Sequence, residues 1–111
     1  MRTYLIEDLG EGAVPRIEEW LRAHGCGSAI EGSFRVVLPV DLLDPQQAEH
    51  TPKCGDHYLA LETGPDWIKL EFLVRCRNTL SCPCMRYAGP EQARYGMDFL
   101  DGVLKALDIP A

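Results

Sequence analysis

No run of apolar residues approaches the length of a membrane span, and no stretch carries the basic stripe that a nucleic-acid surface requires. The chain holds 17 acidic against 11 basic side chains, a formal net charge of −6, which favours solubility without naming a partner. Binding to nucleic acid or insertion into a membrane is therefore not expected. There is no Gly-x-x-x-x-Gly-Lys phosphate loop, no His-Glu-x-x-His and no Gly-x-Ser-x-Gly nucleophile elbow. Gly10-x-Gly12 precedes a helical pattern, but Pro15 stands where a dinucleotide fold needs its third glycine. Internal repeats, low-complexity tracts and linkers are missing too, as are the two paired Cys-x-x-Cys knuckles of a regular zinc module. Acidic residues within Met1–Asp8 interrupt any secretory apolar region, so a cytoplasmic protein with reduced thiols is expected.

What is present is an ordinary globular composition, 46% apolar and 25% charged over 111 residues, enough for one core and one domain spanning residues 1–111. Residues 3–7, with the apolar run Tyr4-Leu5-Ile6, read as a short strand in preference to a single helical turn. Gly10–Pro15 form the entry to a helix that reaches about His24, before Gly25, with Val14, Ile17, Trp20 and Leu21 on one face. Phe34–Leu38 reads as a strand ended by Pro39. Asp44-Pro45-Gln46-Gln47 combines an N-cap, a proline at the first helical position and a glutamine at the third, which predicts a short helix to about His50, stopped by Thr51-Pro52.

Residues 56–63 and 67–76 alternate as strands around Gly64-Pro65-Asp66 and form a hairpin. Ile68, Leu70, Phe72, Val74 and Cys76 share the inward parity; Leu59, Leu61 and His57 share it in the partner strand. The register that joins these faces sets Leu61 opposite Leu70, Leu59 opposite Phe72 and His57 opposite Val74. A final helix opens at Gly89-Pro90-Glu91 and closes at Ile109-Pro110. Its Gly96 and Gly102 each cost about 1 kcal/mol against alanine, which implies a close approach of another backbone. The expected class is α+β: a small antiparallel sheet with a C-terminal hairpin, covered by an N-terminal and a C-terminal helix plus one short helix.

Five cysteines stand at 26, 54, 76, 82 and 84. Cys82-Pro83-Cys84 is the densest reactive group, and its two thiols form a candidate redox pair. With Cys54-x-x-His57 and Cys76, which the hairpin register brings to one end, Cys82 and Cys84 complete a candidate metal set of Cys54, His57, Cys76, Cys82 and Cys84, with zinc as the metal such donors suit. The plainer readings stand beside these: Cys76 as a small buried hydrophobe, His57 as a hydrogen-bonded core histidine, Cys54 and Cys26 as loop and connector residues. A thiol enzyme with a cysteine activated by His57 is less favoured, because no third partner orients the histidine. Arg75, Arg77 and Arg86 lie in a stretch without Asp or Glu between Glu71 and Glu91, and form a candidate site for a small anionic ligand. The outer sheet face mixes Trp67, Leu73, Tyr58 and Ala60 with charged residues, a pattern compatible with a homodimer. The leading expectation is a binding or regulatory module that recognises a protein or small anion; the alternative is a metal-binding or thiol-redox protein built on Cys82 and Cys84.

Overall fold

The computed structural model describes residues 2–111. Nine elements follow in order: β1 (Thr3–Ile6), α1 (Ala13–Ala23), β2 (Ser33–Val37), a 3-10 turn (Val40–Leu42), α2 (Pro45–Cys54), β3 (His57–Thr63), β4 (Ile68–Cys76), β5 (Arg86–Tyr87) and α3 (Pro90–Ala106). The architecture is α+β, a five-stranded sheet with N-terminal, middle and C-terminal helices. Its order is β1-β4-β3-β2, with β5 also pairing β4, and every described pairing is antiparallel. The strands β1 and β5 lie end to end along the same edge of β4. Phe72 marks their junction: its N–H donates to the Arg2 carbonyl at 2.9 Å, and its carbonyl accepts from the Ala88 N–H at 2.6 Å. Among the described residues no helix is long and apolar enough to cross a membrane.

Strict alternation makes β4 the spine of the core. Ile68, Leu70, Phe72, Val74 and Cys76 are buried, while the residues between them are half-buried. The helices α1 and α3 supply the facing layer through Ile17, Leu21, Leu100, Val103 and Leu104.

The hairpin register departs from expectation on one side of a bulge. Leu61 faces Leu70 as predicted, but Leu59 faces Val74 and His57 faces Cys76. Glu71, Phe72 and Leu73 thus lie against Ala60 alone. A two-residue slip keeps the period of the pleat, so every inward residue stays inward while its partner changes.

The short helix also runs further than Thr51-Pro52 suggests, reaching Cys54. Pro52 removes one donor, to the Ala48 carbonyl, in the last turn, where the following groups find other partners. The Thr51 hydroxyl donates to the Gln47 carbonyl at 3.0 Å. The final carbonyls are capped from outside the helix, Cys54 by the Asn78 N–H at 2.9 Å and Lys53 by Asn78 Nδ2 at 3.3 Å. Gly55 ends the helix at φ 78°, and a Cβ there would stand 2.9 Å from Asn78 Nδ2.

Close approach on α3 is confined to Gly96, and it is to side chains rather than to a backbone. A Cβ at Gly96 would stand 2.7 Å from Leu70 Cδ2 and 2.8 Å from Leu59 Cδ1, whereas one at Gly102 would meet nothing within 4 Å. Gly96→Ala therefore gains helix propensity but overpacks the sheet, a net loss of about 1–2 kcal/mol. Gly102→Ala has only the gain, up to about 1 kcal/mol. Urea unfolding of the two variants should give opposite signs; stabilisation by both would refute the packing argument.

Candidate metal centre

Cys54, Cys76 and Cys84 form a second buried cluster, separate from the main core and flanked by Cys82 and Met85. It sits where the end of α2 meets the connection between β4 and β5. Within it the ligand atoms of His50, Cys54, Cys82 and Cys84 all lie within 4.8 Å of one another. Two segments supply two donors each. Extension of α2 through Pro52 places His50 and Cys54 four residues apart on one helical face. The Cys82-Pro83-Cys84 turn, closed by the Met85 N–H on the Cys82 carbonyl at 2.9 Å, supplies the other pair.

The separations suit a four-coordinate metal. Zinc bonds of about 2.3 Å to sulfur and 2.0 Å to nitrogen imply tetrahedral edges of about 3.8 Å between sulfurs and about 3.5 Å between sulfur and nitrogen. Among His50, Cys54 and Cys82 the separations are 3.7 Å for Cys54 Sγ to Cys82 Sγ, 3.2 Å for His50 Nδ1 to Cys82 Sγ and 3.9 Å for His50 Nδ1 to Cys54 Sγ, and Cys84 Sγ lies within 4.8 Å of all three. These four residues form a largely buried group that can hold a metal ion such as zinc.

Of the five metal candidates read from the sequence, the structure brings Cys54, Cys82 and Cys84 into one group and adds His50. His57 and Cys76 lie beside it, paired across β3 and β4. His57 Nε2 stands 3.4 Å from Cys84 Sγ, so the tautomer protonated there donates to that sulfur. The Cys76 thiol turns toward the Thr79 carbonyl at 3.8 Å. Cys26 lies in the connector between α1 and β2, as expected, with its side chain buried in the main core. The signal for His50 was the i, i+4 spacing to Cys54, visible only once the helix is carried past Pro52.

A framework outside the donor set holds the turn. The buried Gln47 donates from Nε2 to the Cys84 carbonyl at 3.3 Å, while its Oε1 accepts from the Asp44 N–H at 3.0 Å and from Gln92 Nε2 at 2.9 Å. Gln92 Oε1 in turn accepts from the Gly89 N–H at 3.1 Å. Each glutamine is the third residue of its helix and reaches back to that helix's own N-cap, so the two caps and the cysteine turn share one buried network.

Without a cation the sulfurs are strongly differentiated. Donation from the Cys84 backbone and thiol, aided by His50 and Cys54, outweighs burial and lowers the Cys82 thiol to about 7. Burial, followed by the neighbouring Cys82, Cys76 and Cys54 sulfurs, pushes Cys84 far up, and burial with the Cys82 contact raises Cys54. A divalent cation bound by these residues would resolve this competition, since its thiol ligands would be deprotonated.

His57 is 1% exposed, its Nδ1 has no hydrogen-bond partner, and burial is the first cause that lowers its pKa below the usual 6.5. The unfolded chain then binds a proton that the folded one refuses, so stability is full above about 6.5 and falls as pH drops below it. Thermal midpoints measured in chelator between pH 7.5 and 5 should decline; a flat profile would show that His57 is not held neutral.

The three arginines expected to gather an anion already face separate carboxylates. Arg75 meets Glu71 at 3.0 Å, Arg77 meets Asp56 at 3.7 Å and Arg86 meets Asp44 at 3.4 Å. Two of those acids come from other parts of the chain, so the acid-free stretch in sequence is not an acid-free surface. No protein-family model matches the chain, and no curated protein or solved structure is similar to it.

Proposed function

We propose that this chain is a zinc-binding protein in which His50, Cys54, Cys82 and Cys84 hold one structural zinc ion that fastens the β4–β5 connection to α2. The observation that carries the reading is the convergence of four donors from two segments within 4.8 Å of one another, with the separations among His50, Cys54 and Cys82 close to tetrahedral edges. Three sulfurs and one imidazole are a soft set that suits zinc. Four protein donors close the coordination sphere, which favours a structural role over a catalytic one that would keep an open position for water. The zinc would then order Asn78–Met85, a segment without regular structure, into a fixed surface beside β5. A binding or regulatory module needs such a surface, and this reading joins the metal to that role.

The test is metal content per chain after purification without a chelating resin, followed by replacement with cobalt. One zinc per chain, and a cobalt form with the visible absorption of tetrahedral thiolate coordination, are expected. A folded, reduced chain that retains no metal through gel filtration and presents its thiols freely to a thiol reagent would sink the reading.

A further inference from the structure

The centre has unequal access to solvent. Cys54 and Cys84 are 3% and 0% exposed, whereas Cys82 is partly exposed, in a loop whose neighbouring Leu80 is 96% exposed. The sulfurs also differ in their engagement. Cys84 Sγ faces His57 Nε2 at 3.4 Å and its carbonyl is held by Gln47; in the tautomer protonated at Nε2, the N–H donated to the thiolate engages a lone pair it would use to attack. Cys76 is buried beside Cys54 and Cys84, and its thiol donates to the Thr79 carbonyl at 3.8 Å. The accessible sulfur, Cys82, has a buried sulfur from another element in contact, Cys54 Sγ at 3.7 Å.

From this asymmetry we infer that Cys82 is an oxidation site for peroxides, and that the product is a Cys54–Cys82 disulfide whose formation expels the metal. The inference rests on the zinc reading above. The Cys82 thiolate attacks one peroxide oxygen, the O–O bond breaks, and the leaving oxygen departs as water or an alcohol after taking a proton from solvent. The sulfenic acid so formed is attacked by the Cys54 thiolate; the S–S bond forms and the sulfenic oxygen leaves as a second water with another solvent proton. The two thiolates together lose two electrons and the peroxide gains two. For the disulfide to form, the 3.7 Å separation must close to about 2.0 Å.

Two of four donors are thereby withdrawn, and His50 and Cys84 remain as a pair too small to keep the ion. The new bond spans 28 residues and joins the same two segments that the metal joins. A metal cross-link is exchanged for a covalent one, so the sheet and helices persist while the metal content reports oxidation. A dithiol reductant and zinc restore the starting state.

The experiment uses the intact zinc-loaded chain, treated with one equivalent of hydrogen peroxide in the presence of a chromogenic zinc indicator. Disulfides are then mapped by mass spectrometry after alkylation, with a parallel sample stripped by chelator before oxidation. The expected result is release of about one zinc per peroxide consumed, a Cys54–Cys82 bridge, Cys26 still free for alkylation and an unchanged far-ultraviolet circular dichroism spectrum. Zinc retained while peroxide is consumed, or a bridge between Cys82 and Cys84, would overturn the inference with the zinc reading intact. A chain that holds no zinc but forms the Cys54–Cys82 bridge in the stripped sample would refute the zinc reading and the metal release, and keep Cys82 as the oxidation site. Variants are not required, so loss of fold cannot obscure the outcome.

Discussion

Cys84→Ser should eliminate stoichiometric zinc and lower the thermal midpoint by about 16–32 °C. A ligand present at a thousand times its dissociation constant stabilises the folded state by about 4 kcal/mol, and each kcal/mol moves the midpoint of a domain near this size by about 4–8 °C. The variant should nevertheless fold at low temperature, because the cysteine cluster is separate from the main core around Ile17, Leu21, Leu61, Leu70 and Leu100. Chelator separates loss of metal from loss of packing. It should lower the wild-type midpoint by nearly the same amount, and leave that of Cys84→Ser where it is. Cys26→Ser, altered within the main core, should lose some stability while keeping its zinc and its full response to chelator. A wild-type midpoint indifferent to chelator would show that no metal contributes to the fold.

The contrast between these two cysteines shows where sequence reasoning reached and where it stopped. Strand parity is a local property, so the inward set of β4 was legible, and it survived a register error because the slip was by two residues. The bulge itself was not legible: three residues lie against Ala60, and nothing in Glu71-Phe72-Leu73 marks them as different from their neighbours. The N-cap of α2 was readable from Asp44, Pro45 and Gln47, since capping chemistry is local. Its far end was not, because Pro52 is a stop signal by its own chemistry and the groups that let the helix pass it belong to Asn78, 26 residues further on. That single misplaced boundary decided the ligand set. A helix ending at His50 leaves Cys54 in a loop, whereas one ending at Cys54 stacks imidazole and thiol on the same face. The surroundings of the arginines were illegible for the same reason, as the carboxylates that face Arg77 and Arg86 are contributed by Asp56 and Asp44, distant in sequence.

Gln47 is where the legible and the illegible parts meet, and Gln47→Leu should weaken both fold and centre. The side chain is fully buried, and leucine fills similar space without its polar atoms. The Asp44 N–H, the Cys84 carbonyl and Gln92 Nε2 would each lose a partner. An unsatisfied buried group costs about 1–3 kcal/mol; Gln92 Nε2 keeps its bond to the Leu42 carbonyl at 2.9 Å, and leucine recovers part of the loss by apolar burial. The net cost should be about 2–4 kcal/mol. Zinc affinity should fall as well, by about 10–100-fold, the range seen when a group that orients a metal ligand is removed, because the carbonyl that fixes the Cys84 turn is set free. Gln92→Leu provides the discriminating control. It breaks the same network at Gly89, Leu42 and Gln47 without touching Cys84, so it should lower stability and leave zinc affinity within about threefold of wild type. Competition against a chelating indicator, at a temperature where all three proteins are folded, gives the affinities. Equal losses in the two variants would mean that the network acts on the centre only through global stability, and that the hydrogen bond from Gln47 to the Cys84 carbonyl does not position the ligand.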